Sequence, residues 1–249
     1  MRITVGRLYR LLYTKLGPQG WWPIYDIDFK KCVYTPRKYR SNTDEEIFEI
    51  SVGAVLTQNT TWKNVEKAIG NLKLSHTLSP DEIFKMNIKK LETLIRSSGY
   101  YREKAKKLKN LSRFFLENPI HKLRNKSIQE LRNILLNIKG VGKETADSII
   151  LYAFQKPIFV IDTYTKRLYL RFFGDHMDYE YDELRNLFEK DLKHDWRIYS
   201  EYHALIVEVS KRYCFKNNPR CIDCILNNFC KYNLEIKLKD ERELYLSKN

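Results

Sequence analysis

Four cysteines fall within 17 residues near the end of the chain, as Cys214-x6-Cys221-x2-Cys224-x5-Cys230, and this cluster constrains the fold more than any other feature. Four thiolates so close together can wrap one metal centre, either zinc or an iron–sulfur cluster. The spacing argues against a pair of zinc knuckles, which present two C-x-x-C halves. The fifth cysteine, Cys32, stands alone and reads as an unligated structural residue. The N-terminus alternates charged and apolar residues with no signal-peptide pattern, and no run approaches the roughly 20 apolar residues of a membrane span. An intracellular, soluble protein is expected, in which clustered cysteines mean metal rather than disulfides.

The rest of the chain supplies the body that this loop completes. Its 249 residues are 43% hydrophobic, enough for a core without staples, and a monomer is expected. Lys and Arg number 45 against 31 acids, a net charge of +14 that favours a polyanionic partner, with nucleic acid first. Only 9 glycines and 7 prolines interrupt a Lys-, Glu-, Leu- and Ile-rich chain, which predicts an all-α protein with short connections. Apolar steps of three and four give two helices in 44–72, broken by a polar corner at Gln58-Asn59-Thr60-Thr61. Ser79-Pro80-Asp81-Glu82 has the form of a helix start. Helices follow at 81–87, 88–97, 103–117, from Ser127, and at 143–154, 164–173, 179–192 and 198–213, with strand signals almost absent.

The helix that starts at Ser127 ends in Lys139-Gly140-Val141-Gly142, and another begins at once. Glycines there permit backbone conformations that a side chain forbids, so that N–H groups at the start of the second helix can face a phosphate. Such a grip holds backbone without reading sequence. The alternative is an ordinary glycine cap between two helices. Downstream lies Phe159-Val160-Ile161-Asp162-Thr163-Tyr164-Thr165-Lys166-Arg167, an apolar approach to one carboxylate followed by a basic helix. An aspartate at that place can also cap the helix that follows.

Hairpin, aspartate and cysteine loop together resemble the helix-hairpin-helix DNA glycosylase superfamily of endonuclease III, whose signature is L-P-G-V-G-x-x-T-A followed by V-D-T-x-x-x-R. The resemblance is close from the hairpin through Arg167 and covers most of the chain by helix order. It implies a two-lobed helical fold, with 40–155 as a six-helix domain and 1–39 plus 156–249 as a second domain that includes the loop 214–230. It implies a [4Fe-4S] cluster on Cys214, Cys221, Cys224 and Cys230, because the spacing equals the family's. It makes Asp162 the catalytic residue of a base-excision-repair enzyme acting on damaged double-stranded DNA. Gly140, Gly142, Lys143, Thr145, Lys166 and Arg167 become the candidate backbone-gripping set. A carboxylate suits this chemistry, since loss of a base from deoxyribose passes through an oxocarbenium-like state.

Two further features refine the expected reaction. Bifunctional members place a lysine nucleophile immediately before the Thr-Ala of the hairpin helix, whereas this chain has Glu144 there and Lys143 one residue earlier. That residue is turned about 100° around the helix, so hydrolysis by water and no abasic-site lyase activity are expected. Trp21-Trp22-Pro23 and Gly53-Ala54-Val55-Leu56-Thr57-Gln58-Asn59-Thr60 resemble the 3-methyladenine DNA glycosylase III branch, many members of which lack a cysteine loop. By that resemblance Trp21, Trp22 and Phe48 wall a base pocket, Gln58 fills the gap left by an extruded base, and Tyr100 wedges the opposite strand. A cationic methylated purine such as 3-methyladenine or 7-methylguanine fits indole faces, by an attraction of roughly 0.5–2 kcal/mol. Its leaving group is already activated. The alternatives are a bifunctional glycosylase/lyase for oxidised pyrimidines and a non-catalytic iron–sulfur protein that binds DNA structure. His203 reads as packing, and the tail 231–249 as a solvated helix or frayed end.

Overall fold

The computed structural model describes residues 4–37 and 40–235, so most of the tail expected as a helix or frayed end lies outside the described residues. The chain forms two compact units, one from Met1–Gln19, Phe159–His194 and Ile198–Asn249, the other from Gly20–Ile158 with Asp195–Arg197. They are called here the aspartate unit and the hairpin unit. Among the described residues no helix is long and apolar enough to cross a membrane.

The hairpin unit is built around α2 (Asp44–Leu56), in which every residue from Ile47 to Leu56 is buried. Its start is fixed by a reciprocal capping box between Thr43 and Glu46, reinforced by acids in the first turn. The polar corner follows, then α3 (Trp62–Leu74). Ser79 caps α4 (Pro80–Lys85), with proline at its first turn as the sequence predicts. Next come α5 (Ile88–Leu94), α6 (Tyr101–Glu117) and the short α7 (Ile120–Arg124), which the sequence reading did not contain. A second capping box, Ser127 with Glu130, opens α8 (Ile128–Leu136). After the glycines, α9 (Lys143–Ser148) continues into a π-helical turn, Ile149–Ala153. The two hairpin helices are clamped by a buried bidentate pair, Arg132 Nε to Asp147 Oδ1 at 2.7 Å and Nη2 to Oδ2 at 3.2 Å. Such a fork fixes orientation as well as charge.

Two short strands, β1 (Ile24–Asp26) and β2 (Lys31–Val33), pair antiparallel with Tyr25 opposite Cys32. They were invisible in the sequence because helices distant along the chain satisfy their backbone. Glu49 of α2 accepts the Tyr25 N–H at 2.6 Å, Glu66 of α3 accepts the Cys32 N–H at 2.5 Å, and Lys73 donates to the Tyr25 carbonyl at 2.6 Å. These contacts group residues 20–37 with the hairpin unit, whereas the resemblance implies that 1–39 belong to the other domain. Cys32 is buried, and burial, with the nearby Glu66 and Glu49 carboxylates, raises its thiol far above the ordinary range. It is inert packing, as expected of a lone cysteine.

The aspartate unit begins with α1 (Val5–Leu16), another helix absent from the sequence reading, capped by Thr4. It contains α10 (Thr163–Phe173), α11 (Tyr181–Lys190) and most of α12 (Trp196–Arg212). Phe159 lies at its centre, stacked on Phe188 at 4.5 Å and edge-on to Tyr199 and Tyr202. Burying one such ring contributes about 1.5–3 kcal/mol. The Tyr202 hydroxyl donates to the Val5 carbonyl at 3.0 Å, and Asp191 accepts the Gly6 N–H at 2.8 Å, which ties α1 into this core.

Candidate active site and nucleic-acid interface

Asp162 is the N-cap of α10, and its Oδ1 accepts the Thr165 N–H at 2.7 Å. The capping role and a chemical role are compatible, because Oδ2 points elsewhere, to within 3.5 Å of His203 Nε2 on α12. Both side chains are nearly enclosed, at 13% and 10% exposure. Burial alone raises the Asp162 pKa, but the neighbouring His203 imidazole and the Thr165 N–H outweigh it and hold the carboxyl below the ordinary 3.8. The group is therefore an anion throughout the neutral range. His203 was read from sequence as packing. It shares no local motif with Asp162, and only the fold brings the two together.

The basic residues after Asp162 bond to the protein's own loops. Lys166 Nζ pairs with Asp178 at 2.7 Å and donates to the Tyr179 carbonyl, while Arg167 Nε donates to the Cys214 carbonyl at 2.8 Å. Both cations hold neighbouring loops, and the Lys166 side chain keeps 38% of its surface exposed, so their place on DNA backbone stays a proposal. Arg171, one turn further, donates to the Phe215 and Lys216 carbonyls at 2.6 and 2.9 Å and approaches Cys214 Sγ at 3.4 Å. It escaped the sequence reading because its partners are backbone atoms of the loop.

Cys214, Cys221, Cys224 and Cys230 all line one cleft with Leu168, Tyr213 and Leu226. Burial raises the thiol of Cys224 to about 11 and also lifts Cys221 and Cys230, and the charges of neighbouring cysteines add to each. The three thiols so raised resist ionisation together unless a cationic centre neutralises them, and with Cys214 in the same cleft the donor set fits a metal cluster. Among the described residues no three His, Cys, Asp or Glu side chains close to the spacing of a single bound ion.

The hairpin unit holds the remaining candidates. Gly140 has φ +102°, and a Cβ there would stand 2.4 Å from Lys107 Cγ, so both backbone and space demand glycine. Gly142 is the N-cap of α9, with open space where a Cβ would be, and Lys143 and Glu144 are exposed in the first turn. Thr145 is buried; its hydroxyl accepts from Gln58 Nε2 at 2.9 Å. Gln58 also reaches the Gly140 carbonyl at 3.3 Å, and its own carbonyl accepts from Lys107 Nζ at 2.5 Å. Tyr100 precedes α6 with φ +45° and is 73% exposed, a large ring held out in solvent.

Trp21 and Trp22 stand in an aromatic cluster with Trp62, whose ring lies 4.6 and 5.4 Å from theirs, and Trp22 also meets Tyr152 at 5.4 Å. The indole N–H groups of Trp22 and Trp62 are buried without a hydrogen-bond partner. Trp62 was missed, although its place directly after the polar corner marks it as an aromatic at a helix start. Phe48 does not join this cluster in any observed ring contact; it is 2% exposed and packs edge-on against Phe115 at 5.5 Å. Its expected place on a pocket wall stays a proposal. Trp22 can lie on α2 only because residue 53 is glycine, since a Cβ there would sit 2.8 Å from the indole. Gly53→Ala is expected to lower stability by about 1–2 kcal/mol, overpacking outweighing the gain in helix propensity. Thermal unfolding followed by far-UV dichroism, with tryptophan emission alongside, checks this.

The description "HhH-GPD superfamily base excision DNA repair protein" matches residues 52–194, which include the hairpin and Asp162. The chain belongs to the HhH-GPD superfamily. It is 43% identical over 229 residues to "Putative DNA repair glycosylase MJ1434" of Methanocaldococcus jannaschii, covering 90% of this chain and 94% of that one. It is 30% identical over 193 residues to an endonuclease III of Thermotoga maritima, covering 78% and 86%. Among solved structures it is similar to the H. pylori 3-methyladenine DNA glycosylase (MagIII) bound to 1,N6-ethenoadenine. There the TM-score is 0.67, the identity 29%, and the coverage 84% of this chain and 98% of that one. An HhH-GPD protein of this kind is a DNA glycosylase of base excision repair.

Proposed function

We propose that this HhH-GPD protein is a monofunctional DNA glycosylase that releases alkylated purines by hydrolysis. The observation that carries the reading is the enclosed, ionised carboxylate of Asp162, capping α10 and facing His203. As the C1′–N bond breaks, its electron pair leaves with the base, and a purine methylated at N3 or N7 departs as a neutral molecule without a general acid. The Asp162 anion stabilises the sugar cation and takes the proton of the water that adds to C1′. The likeness to a 3-methyladenine glycosylase holding an etheno-purine supports the choice of base, as do the indole faces of Trp21, Trp22 and Trp62. Gln58 and Tyr100 are assigned to the vacated stack and the opposite strand, and Gly140, Gly142, Lys143 and Thr145 to the DNA backbone.

Cys214, Cys221, Cys224 and Cys230 would hold a [4Fe-4S] cluster, which would supply cross-linking of the loop rather than electrons for the hydrolysis, while Lys216, Arg220 and Lys231 make the loop basic. Arg167 and Arg171 brace the loop from α10.

The likeness to endonuclease III favours one competing reading, a lyase that forms a Schiff base. Borohydride reduction in the presence of abasic DNA separates the two. With Glu144 preceding Thr145 and Lys143 at the exposed first position of α9, no covalent adduct is expected. An adduct that disappears in Lys143→Ala would replace hydrolysis by lyase chemistry.

A further inference from the structure

Lys104 is a lysine 2% exposed in the hairpin unit. Burying an ammonium ion is costly unless its hydrogens are taken up. Here Nζ donates to the Leu56 carbonyl at 2.8 Å and to the Ser98 carbonyl at 2.6 Å. Burial, with the like charge of Lys107, lowers its pKa to about 8, so the charge is retained at neutral pH. Its two acceptors belong to different loops. Leu56 ends α2 two residues before Gln58, and Ser98 lies two residues before Tyr100. One turn along α6, Lys107 holds Gln58 itself, and its stem fills the space that Gly140 leaves open.

We infer that Lys104 is a positioning residue that sets the Gln58 loop and the Tyr100 loop at a fixed separation, so that both enter a duplex as one device. The inference rests on the assignment of those two side chains to DNA penetration. A charged donor between two carbonyls gives short, directional bonds that an apolar side chain of the same length cannot replace. The buried cation thus links loops 42 positions apart in sequence, as Leu56 and Ser98. Packing of α6 alone requires no charge at this place.

The test uses the full chain and a duplex that carries a tetrahydrofuran abasic analogue opposite 2-aminopurine, whose fluorescence rises on unstacking and which needs no base release. Wild type is expected to produce the rise, and Q58A and Y100A each to diminish it. K104M is expected to remove most of it, and to make a further Q58A change without effect. Affinity for undamaged duplex, governed by phosphate contacts, stays within about twofold. A rise in K104M equal to wild type, while Q58A and Y100A diminish theirs, overturns the role of Lys104 and leaves the loop assignment intact. Unchanged signals in Q58A and Y100A overturn the loop assignment and the inference with it. Should K104M not fold, judged by helical dichroism, K104Q takes its place. Its amide is one bond shorter and reaches at most one carbonyl, so the same loss is expected and an undiminished rise again overturns the role.

Discussion

Asp162→Asn is expected to lower base release by about 10²–10³-fold, the range seen when a preorganised charge-stabilising group is removed from an active site. The substitution separates chemistry from folding with unusual economy. Asparagine caps helices about as well as aspartate, and its carbonyl can still accept the Thr165 N–H that Oδ1 now takes at 2.7 Å. What disappears is the negative charge beside the sugar and the acceptor for the proton of water. Melting temperature and affinity for lesion-bearing duplex should therefore remain near wild type while single-turnover release collapses. Release that persists at the wild-type rate would remove Asp162 from the reaction.

Cys224→Ser is expected to remove the proposed cluster altogether. Three thiols and a hydroxyl cannot neutralise and enclose the centre that four thiolates hold, and folding of a metal loop is inseparable from binding its metal. Iron and acid-labile sulfide per chain should fall to background, and the visible absorbance of an iron–sulfur chromophore should vanish. The stretch between Cys214 and Cys230 should become open to protease. The loop is also held by Arg167 and Arg171 through the carbonyls of Cys214, Phe215 and Lys216, so α10 would lose its partners there. A wild-type protein that binds one zinc and no iron would contradict the cluster.

What the sequence made legible was local chemistry. Ser79 before Pro80, Gly140 in the hairpin and Asp162 at a helix start announce themselves within a few residues, because caps and turns are decided by neighbouring backbone. The β1–β2 hairpin was hidden because its donors are answered by Glu49 and Glu66, side chains on two different helices. His203 was hidden for the same reason, since its partner sits on another helix. Phe48 is hard to place from sequence because α2 is buried on nearly every side, so an aromatic there carries no sign of which face it serves. Lys166 and Arg167 read as a phosphate-facing stripe, and periodicity does not reveal that they also bond to Asp178 and to the Cys214 carbonyl.

The same distinction explains the role proposed for α6. A lysine-rich helix reads as a solvated or DNA-facing surface, yet Lys104 is interior and Lys107 is bonded to Gln58. Net charge of +14 counts these cations without saying which remain available to phosphate.

Incubation with a duplex carrying a single 7-methylguanine, with products resolved before and after alkali, tests the central claim most directly. Free 7-methylguanine is expected, with an intact strand that breaks only when alkali cleaves the abasic site. A strand already broken before alkali, or no base released, would contradict it.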